Sequence, residues 1–341
     1  MPLATPEQYG AMLDVAKRDG FAYPAVNVTS SSTLNGALAG FAEAGSDGIV
    51  QVTPSGAEFA SGPATDAARG ARALAEFARV VATEIPTLIV LHTDHCPPGK
   101  VESFLRPLLD ESLARTGRGE QPLFHSHMFD GSSLPLEENL RRAAELLEDC
   151  RRAHVLLELE IGVVGGEEDG VDTRGVPDER LYSSLADAVA VVERLGAGES
   201  GRYLLAATFG NVHGVYAAVN AKLKPEILAE LRDAAVERFG EGAAFDFVFH
   251  GGSGSTPEQI GEAIANGVVK MNLDTDLQYA YTRAVADHVF RSYDGVLQVD
   301  GGFGDKAAYD PRAWGRPAER SLAERVAAAC ELLGSDGRSL A

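Results

Sequence analysis

The 341 residues suffice for two average domains or one large α/β barrel, and a 45% hydrophobic content supports a sizeable core. A formal charge of −20, from 50 acidic and 30 basic residues, repels polyanions and excludes nucleic acid as a natural partner. There is no apolar run of roughly 18 residues or more, so no membrane partner is expected, and MPLATPEQYG lacks the basic-then-apolar pattern of a signal peptide.

Taken in chain order, the string Thr5, Pro6, Glu7, Gln8 opens a capped N-terminal helix. Apolar, often β-branched runs then recur at 25–28, 48–52, 87–94, 123–128, 155–162, 203–210, 245–252 and 268–274, and each reads as a strand. Amphipathic stretches separate most of them; within 136–153, Leu140, Ala143, Ala144 and Leu147 share one helical face. Thr256, Pro257, Glu258 and Gln259 repeat the capped start, with threonine at the cap, proline first in the helix and glutamine positioned to reach back. Strands alternating with helices imply parallel β-α units. Eight of them imply a closed (β/α)8 TIM barrel, with extra helices at the N-terminus, after the second strand and at the C-terminus. A doubly wound open sheet suits the same alternation, because sequence does not show closure. No linker, low-complexity tract or repeat intervenes, so 1–341 reads as a single barrel domain. Cys96, Cys150 and Cys330 are odd in number and widely spaced, which suggests reduced thiols in a cytoplasmic protein.

Barrel chemistry gathers at the carboxyl ends of strands, and Asn27, Thr53, Asp94, His95, Asp130, Glu160, His213, His250, Asn272 and Asp274 all fall there. Buried polar groups cost stability when unpaired, and function is the usual reason for keeping them. Three of the eight histidines, His95, His213 and His250, follow strand-like runs, in HTDHC, NVHG and FHGGSGS. Imidazoles from separate segments, with one position left open, are how a catalytic zinc-type ion is held. In ELEIGVVGGEEDGVD, Glu158 and Glu160 share a strand face, and Gly165, Gly166, Glu167 and Glu168 begin a glycine-hinged acidic loop. Such a loop either closes over a site to deliver a carboxylate or lies solvated on the surface. The glycine-serine segment after His250 either brings backbone amides against phosphate or is a plain turn. Asn272, Leu273, Asp274 and Thr275 fall where barrels complete a phosphate site. The pattern points to metal-assisted chemistry on a phosphorylated substrate.

The motifs LHTDHC, SHMFDGS, GGEEDGVD, TFGNVHGVY, FHGGSGS and KMNLDTD together carry a family resemblance. From PAVN at 24–27 through YDPRAW at 309–314, the chain resembles the class II, metal-dependent fructose-bisphosphate aldolases, in the class IIA branch, and looks most like actinobacterial members. The resemblance implies reversible cleavage of fructose 1,6-bisphosphate, in glycolysis or gluconeogenesis, by a cytoplasmic homodimer or homotetramer. It implies that His95, His213 and His250 bind a catalytic Zn2+ that stabilises the enediolate as a Lewis acid. Asp130 and Glu160 match a second divalent metal position, although either could instead orient a zinc-bound histidine. A monovalent cation, Na+ or K+, belongs to the same expectation. Glu168 would remove the proton of dihydroxyacetone phosphate, and Asp94 would exchange the proton of the fourth-carbon hydroxyl. Gly214, Gly251, Gly252, Ser253, Asn272, Asp274 and Thr275 correspond to the dihydroxyacetone phosphate site, with Asn27, Thr53 and Leu273 joining the substrate-binding set. Arg312 matches the arginine that grips the other phosphate, reaching in from a dimer partner.

Departures are specific. Gln51, Val52 and Thr53 stand where the family has QFS, so the substrate-binding serine gains a methyl group, with Pro54 stiffening the loop and Ser55 nearby. Ala217 replaces a lysine found in many relatives. These changes motivate an alternative substrate, tagatose or sedoheptulose bisphosphate. Other readings are a Schiff-base aldolase using Lys270 and a barrel retained as a binding protein. His125 and His127 match only a sheet segment, and His92, His154 and His288 are expected to be ordinary polar or surface residues.

Overall fold

The computed structural model describes residues 3–168, 171–172, 181–213, 222–252, 254–297, 302 and 304–341, with the side chains of 166–168, 171, 172 and 213 outside that description. Its strands are β1 (Tyr23–Asn27), β2 (Gly48–Val52), β3 (Ile89–Cys96), β4 (Ser126–Phe129), β5 (Leu156–Ile161), β6 (Gly165–Glu168), β7 (Val171–Asp172), β8 (Tyr203–Ala207), β9 (Val212–His213), β10 (Phe247–Phe249) and β11 (Val268–Leu273). Eight of these close a barrel in the order β1-β11-β10-β8-β5-β4-β3-β2, and all its pairings are parallel. Closure removes the open-sheet alternative.

Helices surround the barrel: α1 (Pro6–Asp19), α2 (Ser31–Ala44), α3 (Pro54–Ala60), α4 (Ala67–Val81), α5 (Arg106–Thr116), α6 (Leu136–Arg152), α7 (Leu185–Leu195), α8 (Glu226–Phe239), α9 (Pro257–Ala265), α10 (Thr275–Arg291), α11 (Tyr293–Val296), α12 (Lys306–Tyr309) and α13 (Pro311–Leu333). Both expected capping boxes form, Thr5 with Gln8 and Thr256 with Gln259. Each satisfies two helix-end N–H groups reciprocally, which is why the chain turns into a helix there. None of the described helices is long and apolar enough to cross a membrane.

Period-two alternation divides the barrel interior into two halves. Its lower half is apolar: Tyr23, Ala25, Ile49, Val90, Leu156, Leu204 and Val248 pack with Tyr9, Met12 and Leu13 of α1, which plugs the base. Two residues further along the same inward faces, the side chains become polar. Asn27, Gln51, His92, Glu158 and His250 continue the rows set by Ala25, Ile49, Val90, Leu156 and Val248.

Two places depart from expectation. The GGEEDGVD segment, read as a loop, contains the antiparallel pair β6–β7, and β6 also runs parallel to β9. Thr53 and Pro54, also read as loop, are the N-cap and first residue of α3, with Thr53 Oγ1 accepting the Gly56 N–H at 3.1 Å.

Candidate active site

The site begins with a fault in β3. Asp94 and His95 are adjacent, so regular alternation would send them to opposite faces of the strand. Pairing with β4 runs Thr93↔His127 and then Cys96↔Phe129, which places one extra residue on β3. His95 takes that bulge with φ at +38°, a left-handed conformation that costs a non-glycine residue about 1–3 kcal/mol and persists where function requires it. Both side chains thereby reach the same region, where ligand atoms of Asp94, His95 and His250 lie within 4.8 Å of one another.

His95 Nε2 and His250 Nδ1 face each other at 3.0 Å, with the rings edge-on at 72°. The outer nitrogen of each ring meets a carboxylate: His95 Nδ1 lies 3.1 Å from Asp130 Oδ2, and His250 Nε2 lies 2.7 Å from Glu158 Oε1. Burial works against charge on Glu158, yet Lys270, His92 and His250 hold its carboxyl well below the ordinary value. Burial likewise opposes Asp130, and His95 with Ser132 outweighs it. Ionised carboxylates only accept hydrogen bonds, so the outer ring nitrogens carry the protons and the inner pair present lone pairs. Neither inner nitrogen then has a hydrogen to give the other. Two neutral imidazoles with converging inner nitrogens, each backed by a carboxylate, suit the donor set of a zinc-type ion. Burial keeps His250 neutral by lowering its pKa.

A second network surrounds Asp94. Asn27 Nδ2 and Gln51 Nε2 donate to its Oδ2 at 3.1 and 2.9 Å, and Asn272 Nδ2 donates to Oδ1 at 3.1 Å. The three amides come from β1, β2 and β11, so the barrel wall itself fixes this carboxylate. Gln51 and Glu158 were not among the expected site residues, and Lys270 was expected only in the Schiff-base alternative. Each is a fully buried polar group in a mostly apolar strand; inward parity was the available signal for Gln51 and Glu158, whereas a register shift in β11 sets the face of Lys270.

The expected residues divide into three groups. The structure brings together Asp94, His95, His250, Asp130, Glu160, Asn27 and Asn272; Glu160 Oε2 lies 3.4 Å from His250 Nδ1, and the ligand atoms of His95, Asp130 and Glu160 fall within 4.8 Å. Around the rim, Gly251 has φ at +64°, a conformation that favours glycine, and a Cβ on Gly252 would lie 2.2 Å from Met271 Cε, the end of a side chain that would have to shift. Asp274 stands at the N-cap position of α10 without a side-chain capping bond, its Oδ1 accepting from Gln278 Nε2 at 2.8 Å, and Thr275 opens the helix. Leu273 packs its side chain into the core, which leaves only its backbone for substrate. Arg312 opens α13 with its side chain exposed, pairing with Asp310 at 2.6 Å. Outside the described residues lie Gly214, Ser253 and Ala217, together with the side chains of His213 and Glu168. The backbones of those last two are joined through one small sheet, since Gly166 of β6 pairs with His213.

Of the two alternatives expected for His92, a polar or a surface residue, the structure has a fully buried polar one: its Nδ1 meets Ser126 Oγ at 2.8 Å and its Nε2 lies 3.5 Å from Glu158. The Schiff-base expectation is corrected. Lys270 is fully buried, and its hydrogens are committed to Glu158 Oε2 at 2.8 Å and Asn272 Oδ1 at 2.7 Å, an arrangement unsuited to a Schiff-base nucleophile. His125 and His127 do lie in the sheet layer, held by Ala4 O, the Leu91 N–H and Thr93 Oγ1.

Comparison with known proteins bears on this geometry. The family model described as "Fructose-bisphosphate aldolase class-II" matches residues 7–338. The chain is 58% identical over its full length to the fructose-bisphosphate aldolase of Streptomyces galbus, all of which is covered. It is 54% identical to that of Mycobacterium tuberculosis H37Rv, covering all of this chain and 99% of the other. Among solved structures, the 1.85 Å crystal structure of fructose-bisphosphate aldolase from Campylobacter jejuni superposes with a TM-score of 0.86 at 33% identity, covering 99% of this chain and 97% of that one.

Proposed function

The chain belongs to the class II fructose-bisphosphate aldolase family, and from that membership we propose which residues carry the reversible cleavage of fructose 1,6-bisphosphate to dihydroxyacetone phosphate and glyceraldehyde 3-phosphate. One observation carries the assignment: the ring nitrogens of His95 and His250 that converge at 3.0 Å, each ring anchored from behind by a carboxylate. These two rings, with His213 as the third ligand, would hold the zinc ion on which the family depends. Zinc bound there supplies a Lewis acid that draws electron density from the substrate carbonyl.

The remaining work falls to side chains of the barrel. Asp94, fixed by amides from three strands, exchanges the proton of the fourth-carbon hydroxyl as the carbon–carbon bond breaks or forms. Glu168, carried by β6, takes the proton that creates the carbanion. Small residues 251–253 and the N-terminus of α10, with Asn272, Asp274 and Thr275, receive the dihydroxyacetone phosphate group, where backbone N–H groups and the helix dipole suit an anion. Gly214 and Thr53 complete that end, and Arg312 of a second copy grips the other phosphate. Asp130 acts chiefly by orienting His95. A second divalent ion bound by Asp130 and Glu160 is the competing use of the same carboxylates, and a monovalent cation, Na+ or K+, would assist phosphate binding.

On this reading the whole chain, 1–341, acts as one domain in the reducing cytoplasm, where Cys96, Cys150 and Cys330 persist as buried free thiols. It works as a homodimer or a homotetramer: Tyr279, Phe290 and Tyr293 of α10 and α11 expose 69%, 73% and 51% of their surface, an apolar stripe suited to a second copy. Sedimentation as a monomer at micromolar concentration would remove the oligomer from the proposal. The direct test of function is a coupled cleavage assay before and after chelation and zinc restoration. Activity that survives thorough chelation contradicts the metal role. Higher kcat/KM for tagatose or sedoheptulose bisphosphate would shift the substrate, a reading that the methyl group of Thr53 alone favours.

A further inference from the structure

The barrel interior holds one fully buried lysine, and its position is itself the product of a register fault. Phe247 of β10 pairs with Val268, but Val248 pairs with Lys270, so β11 carries one extra residue at Val269. Val268 faces the helices; under strict alternation Lys270 would follow it outward. The bulge turns Lys270 inward instead, where Nζ lies between Glu158 Oε2 at 2.8 Å and Asn272 Oδ1 at 2.7 Å.

We propose that Lys270 is a positioning residue for the proton transfer assigned to Asp94, acting by fixing which way the Asn272 amide faces. This inference rests on the proposed roles of Asp94 and Glu168. An ammonium group donates hydrogen bonds and cannot accept them, whereas a carboxamide can do either according to how it is turned. With Lys270 in place, the carbonyl oxygen of Asn272 must face Nζ. Its NH2 group must then face Asp94, where Nδ2 to Oδ1 is 3.1 Å. Without the ammonium the amide can turn over and present oxygen to the Asp94 carboxylate, removing one of three donors and replacing it with a repulsive contact. Glu158 completes the device by neutralising Lys270, and the same carboxylate orients His250. One buried ion pair therefore ties the orientation of a metal ligand to that of the proton-transfer acid.

The test separates two partial reactions. Cleavage of fructose 1,6-bisphosphate requires Asp94, whereas hydrogen exchange into dihydroxyacetone phosphate alone requires Glu168 and zinc. In Lys270→Met assayed with saturating zinc and substrate, kcat for cleavage should fall about ten- to a hundredfold, the worth of one hydrogen bond to a charged group, and exchange should fall clearly less. Lys270→Gln keeps a donor and should recover part of the loss. In an Asn272→Leu background Lys270→Met should have little further effect, because a residue that acts only through another is non-additive with it. Equal loss of cleavage and exchange, or full additivity with Asn272→Leu, overturns the inference. If Lys270→Met does not fold, Lys270→Gln is read by the same ratio. A wild-type protein lacking both partial reactions would defeat the functional assignment itself; a wild-type protein with both, and an unchanged ratio in the variants, defeats only the role of Lys270.

Discussion

Replacing Glu158 by glutamine tests how the proposed metal ligands are held. Its two oxygens serve different partners, His250 Nε2 at 2.7 Å and Lys270 Nζ at 2.8 Å. A glutamine must point its NH2 at one of them. An ammonium cannot accept, so the carbonyl oxygen stays with Lys270 and the NH2 group turns to His250. To accept that hydrogen bond, the imidazole must move its own proton to Nδ1, the nitrogen that faces His95. A protonated Nδ1 cannot ligate. Loss of an outer partner of this kind typically weakens metal binding about 10- to 100-fold, equivalent to roughly 1.4–2.7 kcal/mol. The metal-free protein should weaken as well, because Lys270 is left as a buried charge without its counter-ion, at a cost of about 3–5 kcal/mol. Zinc affinity measured by competition with a chromophoric chelator, together with the melting temperature of the metal-free variant, reads both effects. Zinc affinity within twofold of wild type would refute the tautomer argument, whatever happens to stability.

Three further outcomes are expected. Asp94→Ala should slow cleavage by about 10²–10⁴ while zinc content measured by elemental analysis stays normal; unchanged turnover contradicts its role. Glu168→Ala should abolish exchange of solvent hydrogen into dihydroxyacetone phosphate, and persistence of that exchange by NMR excludes Glu168 as the base. Acid should unfold the protein partly through its sheet histidines, for burial pushes His125 down to about 4 and His127 to about 3 from an ordinary 6.5. The unfolded chain binds those protons first, so the stability they contribute is present above 6.5 and lost as pH falls through the folded values, about 3 kcal/mol for His125 alone. His125→Gln should show a smaller loss in urea midpoint between neutral and mildly acid pH; an identical loss rules out His125 as a contributor.

What the sequence disclosed, and what it withheld, follows from the distance over which each signal acts. The strand runs, the capping boxes at Thr5 and Thr256 and the polar strand ends are local, and they suffice for a barrel with its chemistry at one end. Asp94, His95, Asp130, Glu160 and His250 are recognisable as candidates because a metal site needs those donor types and barrels collect them at strand ends. Closure itself is not local, and neither is the purpose of Gln51, Glu158 and Lys270. Each of these makes a hydrogen bond to a residue from another part of the barrel wall: Gln51 to Asp94, Glu158 to His250, and Lys270 to Glu158. A lysine inside an apolar strand says only that an acceptor exists somewhere, and the fold decides where.

The two bulges show why alternation, the best strand signal available, fails where function is concentrated. A strand can present only every second residue inward. Asp94 and His95 are adjacent, and both are needed on one side. Val268 and Lys270 are of equal parity, and they are needed on opposite sides. No regular strand meets either demand, so β3 and β11 each take an extra residue, and β3 places a non-glycine residue at positive φ. Local strain is tolerated because the polar contacts beyond it over-determine the result: His95 is held by Asp130, and Lys270 by Glu158 and Asn272. An acid and a metal ligand side by side at the end of a buried strand therefore imply a bulge between them, since without one their side chains would stand on opposite faces of the barrel wall.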